Sequence, residues 1–453
     1  MRFLARTLAV LAVLAFAAQP IAAQETSILR DAETERLLKD LVNPLVVAAG
    51  MPKDAVDVII VSDPTLNAFT AGGQRIYVNS GLLNSADNAN QVQGVLAHEL
   101  GHIVGGHSIG IEQGMNKATK ISILSLLLGV AAAVAGAGDA AMGAMALGQQ
   151  AAYGSLLSFS RSQEASADAA GASYLSKAGI SGRGSLDFFG KIQNYEFRYG
   201  YPHDEDAAYA STHPLSSDRI ATLREVYQKD PAWDAKTDPA LEARFQRVKA
   251  KLYGYLAKPA DTLRHYPEYM TGEPATYARV YAYHKDAKVA DAVREADALL
   301  AMEPEDPYFL EVKGQVLLES GKPQEALAPL RRATELTAND PLIASTFGHA
   351  LVATEDKSHL DEAETVLRAA VARDRENPFA WYELGMVYGA RGDIPRAQLA
   401  SAEQQIMSDS PAEALRSANA AQGGLTKGTP DWIRAQDISM EARAQLERDK
   451  HHK

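Results

Sequence analysis

Hydrophobic positions along this chain follow three patterns in turn. At the start, MRFLARTLAVLAVLAFAAQPIAAQET sets Arg2 and Arg6 before an apolar run of roughly a dozen residues that closes on Ala22 and Ala23. That layout predicts a secretory signal peptide over 1–23, because the run falls short of the roughly 20 residues that span a bilayer. From 24 to 260, short β-branched runs alternate with helical periodicity. VDVIIVSDP (56–64) and RIYVN (75–79) predict strands, and QVQGVLAHELGHIVGGH predicts a helix with Val92, Val95, Leu96 and Ile103 on its apolar side. The proline- and turn-rich stretch KPADTLRHYPEYMTGEP (258–274) predicts a linker, assigned to 261–274.

Beyond it, from 275 to 453, the pattern repeats. Gly314, Gly348 and Gly385 lie 34 and 37 residues apart, and Pro307, Pro341 and Pro378 keep step with them. This is the tetratricopeptide period, with one insertion of three residues. The insertion falls between Gly348 and Ala363, which predicts a longer turn inside an intact helix pair. Residues 275–307 look like a degenerate first unit, and the segment from Pro411 caps the far end. Stacked pairs of this kind leave a concave groove for peptide or protein.

A run at 121–138, ISILSLLLGVAAAVAGAG, is uncharged and of about the minimal spanning length. Its alanines and glycines make it weakly hydrophobic, and Asp139 separates it from a second run, AAMGAMALG. The expectation is a small-residue helical hairpin over 121–148 that covers a site or touches a bilayer surface.

Composition narrows the partners. With 57 acidic against 45 basic residues the chain carries −12, and no long basic block offers a surface for phosphates, so nucleic acid is not expected. No cysteine is present. Disulfides and thiolate metal ligands are therefore excluded, and an exported, cysteine-free chain points to a bacterial periplasm.

Histidine and carboxylate remain as metal donors, and AHELGH (97–102) concentrates them. His98 and His102, four apart on a helix, project from one face on successive turns and can take two corners of a tetrahedral zinc site. Glu99, rotated by roughly 100°, falls beside the metal, where it can take a proton from a water and pass it to a leaving amine. A third protein ligand is still required. The three-histidine version of the motif fails, because Ser108 stands at the histidine position. His107 is one residue short and, on a continued helix, lies about 180° from His98, which predicts packing or a surface hydrogen bond. On the helix predicted over 155–179, Glu164 and Asp168 stand at i, i+4. Glu164 can reach a metal while Asp168 accepts from a ligating imidazole, or both can lie on a solvated face.

NAFTAGGQRIYVNSGLL, VLAHELGHIVGGH, SRSQEASAD and THPLSSDRI, in this order, resemble the gluzincin family of the CAAX endopeptidases and HtpX. The tetratricopeptide tail makes the chain most similar to the family's periplasmic BepA-like branch. The resemblance implies an α+β zincin-like domain, mostly helical with a small sheet, followed by an all-α solenoid. It implies one zinc per chain on His98, His102 and Glu164, Glu99 as catalytic base, and Asp168 behind a ligand. The first stretch resembles an edge strand on which extended substrate pairs, with the hydrogen-bonding residues around Tyr77. In this branch the histidine matching His213 can fill the open zinc position and hold the enzyme latent. His213 could instead donate to a developing oxyanion, for which Arg219 is also a candidate, or merely cap the helix SSDRIATLREVYQ. The activity implied is an endopeptidase acting on unfolded or misassembled outer-membrane proteins, with the β-barrel assembly machinery as partner. The rival reading is a chaperone or adaptor whose repeats do the main work.

Overall fold

The computed structural model describes residues 27–107, 119–122, 124–125, 138–199, 213 and 217–451. The expected signal peptide and most of the 121–138 run lie outside them. Four short strands, β1 (Ile28–Leu29), β2 (Asp57–Val61), β3 (Ala68–Thr70) and β4 (Arg75–Asn79), form one sheet in the order β1-β2-β4-β3. β2 and β4 run parallel, with Val58 opposite Ile76 and Ile60 opposite Val78. All four of these side chains are buried, as the two-residue period of a half-covered sheet requires. β3 pairs antiparallel with β4 and forms the sheet edge on that side.

Helices accompany the sheet before the repeats: α1 (Ala32–Ala48), α2 (Ser80–Ser85), α3 (Ala89–Val104), α4 (Gly138–Lys177), α5 (Arg183–Tyr199), α6 (Ser217–Gln228), α7 (Pro239–Leu256) and α8 (Pro259–His265), and the described residues 119–122 and 124–125 are helical as well. Leu38 and Leu41 of α1, Val92 and Leu96 of α3, Phe188 and Phe189 of α5, and Phe245 of α7 share one core with the sheet. α3 starts where Asn88 caps it by accepting from the Gln91 amide. It then packs tightly on α4, and glycine sets the spacing from both sides. A Cβ on Gly101 would stand 2.6 Å from the Ala167 carbonyl oxygen, and one on Gly171 would stand 3.0 Å from that of Ala97. The second apolar run, 140–148, and the EASAD segment fall on this same 40-residue helix α4. Among the described residues, no helix is long and apolar enough to cross a membrane.

The segment expected as a linker carries α8, which packs on the next helix. From there the chain is helical pairs: α9 (Glu273–Lys285) with α10 (Val289–Met302), α11 (Pro307–Glu319) with α12 (Pro323–Leu336), α13 (Pro341–Ala353) with α14 (Leu360–Arg373), α15 (Pro378–Ala390) with α16 (Ile394–Met407), and α17 (Pro411–Gly424) with α18 (Pro430–His451). The repeating prolines open α11, α13 and α15, each behind an Asp306, Asp340 or Asn377 side chain that caps the helix. The repeating glycines let the paired helices touch: a Cβ on Gly314 would lie 2.4 Å from Leu330 Cγ, and one on Gly348 2.5 Å from that of Leu367. The insertion appears where it was expected. Three residues, 320–322 and 391–393, join α11 to α12 and α15 to α16, but six, 354–359, join α13 to α14.

Buried charges join the two halves. Glu33 at the start of α1 meets Arg247 and Lys251 of α7 and accepts from the Tyr277 hydroxyl of α9 at 3.0 Å. Arg247 also reaches Asp306 at 3.0 Å, and at the exposed edge of this seam Arg30 reaches Asp374 at 2.9 Å. Nearby, burial pushes the Glu311 carboxyl up to about 8 from its usual 4.5; Asp31, Glu33 and Asp340 reinforce the rise, and Lys251 opposes it. A carboxyl raised in this way binds more protons folded than unfolded. Stability should therefore fall as pH climbs from about 4.5 to about 8, by at most ~1.4 kcal/mol per pH unit. Glu311→Gln is expected to flatten that slope and to exceed the wild type in stability at alkaline pH. Denaturant unfolding across the range measures it, and parallel profiles for the two proteins would refute it.

Candidate metal centre

α3 and α4 bring the predicted donors together, with His213 arriving just before α6. His98 Nε2 lies 3.1 Å from His102 Nε2, 3.3 Å from His213 Nδ1 and 3.4 Å from Glu164 Oε2. Glu164 Oε1 lies 3.4 Å from His102 Nε2 and 3.1 Å from His213 Nδ1. Four buried residues thus offer one donor atom each, all within 4.8 Å of one another. Zinc bonds of 2.0–2.1 Å arranged tetrahedrally place neighbouring donors about 3.3 Å apart. The observed spacings fit that figure, and a donor set of three imidazoles and one carboxylate suits the same metal.

Glu99 is fully buried on α3 and stands outside the four-atom cluster. Among the described residues, neither of its carboxylate oxygens has a hydrogen-bond partner, and His213 Nε2 is 3.4 Å from Oε1. Burial pushes its pKa up; the nearby His213 and His98 pull the other way. A buried carboxylate without a hydrogen bond favours its protonated form, and the charge of a neighbouring imidazolium favours the ionised one.

Asp168, one turn beyond Glu164, receives His98 Nδ1 at 2.9 Å. An imidazole that offers Nε2 to a metal carries its proton on Nδ1, the nitrogen that here faces the Asp168 carboxylate as an ion-pair contact, off the line of a well-formed hydrogen bond. Asp168 is held in turn by the fork of Arg219 on α6, with Nε at 2.7 Å and Nη2 at 2.9 Å, while Arg219 Nη1 lies 3.0 Å from Glu164 Oε2. Burial alone would raise the Glu164 pKa. Hydrogen bonds from His102, His213 and His98 overcome it and hold the carboxyl well below the usual range. His98 shows the same competition with the opposite outcome: burial lowers it, but Asp168 and Glu164 push it up to about 10. His102 lacks such a carboxylate on its far nitrogen, and burial drops it to about 4.

Two sequence readings change. Tyr77 sits on β4, which is paired on both sides, and stacks on Phe69 with ring centroids 5.1 Å apart. The edge strand is β3, which lies against α3. His107 does not continue the helix, since α3 ends at Val104; its Nδ1 lies 2.9 Å from His102 Nδ1. The signal for this was in the sequence, in the Gly105–Gly106 pair that precedes it.

Comparison with known proteins matches the same segments. The model of peptidase family M48 matches residues 32–227, and that of the tetratricopeptide repeat matches 277–341 and 353–411. The chain is 23% identical over 365 residues to the beta-barrel assembly-enhancing protease of Escherichia coli (strain K12), spanning 79% of this chain and 72% of that one. It is 28% identical over 186 residues, 40% of this chain and 49% of the relative, to the mitochondrial metalloendopeptidase OMA1 of Schizosaccharomyces pombe. Among solved structures, the TPR protein YrrB, described as having an unusual peptide-binding site, aligns with a TM-score of 0.32 at 22% identity, covering 39% of this chain and 91% of that one.

Proposed function

We propose that the chain, whose residues 32–227 match the model of peptidase family M48 and which carries tetratricopeptide repeats behind them, is a zinc endopeptidase of the bacterial periplasm, exported by the signal peptide read at 1–23. Its substrates would be unfolded or misassembled outer-membrane β-barrel proteins, selected through the repeats, and the β-barrel assembly machinery would be its partner. The observation that carries the reading is the clustering of His98, His102, Glu164 and His213, with donor atoms within 4.8 Å of one another, beside the buried carboxylate of Glu99, which lacks a hydrogen bond among the described residues. The names of the curated relatives support the substrate class.

When bound, zinc supplies Lewis acidity and lowers the pKa of water. His98, His102 and Glu164 hold it. Asp168 and Arg219 keep His98 and Glu164 oriented, so we assign Arg219 to positioning rather than to the oxyanion. Glu99 takes the proton of the attacking water and returns it to the leaving amine. An extended substrate would pair along β3, which runs beside the helix carrying Glu99. A cavity of about 590 Å³ between β1, α7 and the repeats, lined by Leu29, Tyr255, Glu311, Leu318, His349 and Phe379, offers a place for an unfolded chain to be held. Phe379, Tyr382 and Met386 extend its apolar surface along one exposed face of α15.

His213 stands where water and the scissile carbonyl would enter, so the geometry favours a latent enzyme. This also accommodates the second reading, an assembly adaptor with proteolysis mostly silent. If the closed state holds about 90% of the molecules, His213→Ala should raise cleavage of a denatured β-barrel protein by roughly 10-fold. Zinc content should not rise, and chelation should abolish the cleavage. Unchanged or lower activity in this variant would remove the plug; no cleavage by either protein, with zinc bound, would favour the adaptor.

A further inference from the structure

The chain leaves α3 through two glycines that act differently. Gly106 has φ +64, in the left-handed region where an L side chain is strained. Gly105 keeps a helical φ of −70, but a Cβ there would lie 2.4 Å from His107 Nε2 and 2.8 Å from two further ring atoms. The imidazole of His107 therefore folds back over bare backbone. Together the two glycines reverse the chain and carry His107 from the far side of the helix to a buried position against His102.

The contact there is specific. His107 Nδ1 lies 2.9 Å from His102 Nδ1, and the rings meet edge to face, centroids 4.9 Å apart at 79°. The His107 carbonyl accepts from Gln163 Nε2 at 3.4 Å, one residue before Glu164, which ties the turn to the second ligand-bearing helix. His102 directs Nε2 toward the other donors. Its proton then belongs on Nδ1, and Nδ1–H donates to His107 Nδ1. His107 consequently accepts on Nδ1 and carries its own proton on Nε2. His98 Nδ1 faces Asp168 instead, so the partner of His98 is an anion and the partner of His102 is neutral. The first raises ligand basicity, whereas the second fixes geometry alone.

We infer that His107 is a positioning residue of the metal centre, fixing the tautomer and ring plane of His102, and that Gly105 and Gly106 serve to place it. The inference rests on the proposed role of His102 as a ligand. It is tested on the full chain by zinc competition against a chromogenic chelator and by the visible spectrum of the cobalt-substituted protein. His107→Ala is expected to weaken zinc binding by about 10- to 100-fold and to alter the cobalt bands. Gly105→Ala should reproduce both effects with the histidine still present, because the new methyl displaces the ring. His107→Asn, whose Oδ1 can accept where Nδ1 did, should restore most of the affinity. Wild-type affinity and spectrum in both alanine variants would overturn the inference, as would an asparagine variant no better than alanine while melting as wild type does. His102→Ala serves as the separate control: if it held zinc normally, the ligand assignment would fail, and not only the role of His107.

Discussion

Glu99→Gln is expected to lower peptide cleavage by about 10²- to 10⁴-fold, the range over which a positioned general base acts, while zinc stays bound. The substitution is isosteric, and Glu99 contributes no atom to the four-donor cluster. Its carboxylate makes no hydrogen bond within the described residues, and its one ion-pair contact there is the 3.4 Å approach of His213 Nε2, which the amide keeps as a polar contact. What disappears is the capacity to take a proton at that point. Turnover of an unfolded substrate, read beside zinc content, measures the effect, and a loss smaller than about 10-fold would contradict the assignment of Glu99 as base. The same variant separates the two functional readings in cells. Complementation lost with catalysis would require proteolysis; complementation retained would place the main role in the repeats.

The second large effect concerns the metal itself. Glu164 touches His98, His102, His213 and Arg219, so Glu164→Ala removes one donor and also strips Arg219 of one of the carboxylates it meets among the described residues. Loss of an orienting partner typically costs about 10–100-fold in metal affinity, and loss of a direct ligand is expected to exceed about 100-fold. The purified variant should emerge from dialysis with far less than one zinc per chain. A full complement at wild-type affinity would exclude Glu164 as a ligand. Asp168 cannot substitute for it, since that carboxylate is already committed to His98 Nδ1 and the Arg219 fork.

Local rules account for what could be read in advance. His98, Glu99 and His102 need only the pitch of one helix, and the repeat period needs only a ruler along the chain. Glu164 and Asp168 were visible as an i, i+4 pair, but their approach to His98 depends on how closely α3 and α4 meet, which Gly101 and Gly171 decide from separate helices. Strand position is similarly nonlocal: RIYVN reads as a strand anywhere, and its parallel pairing with β2 is what moves the edge to β3 and leaves Tyr77 inside the sheet. The placing of His107 depends on the pair Gly105–Gly106, which ends the helix and turns the ring against His102; on a continued helix it would lie on the far side. The charge network around Glu33 had no local signature, since its partners Arg247, Lys251 and Tyr277 lie more than two hundred residues away.

That network changes what the boundary near residue 260 means. A protease half expressed alone would expose Arg247 without Asp306 and Glu273, and Glu33 without the Tyr277 hydroxyl, at a surface built to be dry. Arg247 and Glu33 would keep each other, but a pair opened to water contributes only about 0–1 kcal/mol, and the apolar ring faces packed around it would be wetted as well. The repeats thus act as a second wall of the enzyme, and the chain is better regarded as one cooperative body than as a catalyst with a detachable handle.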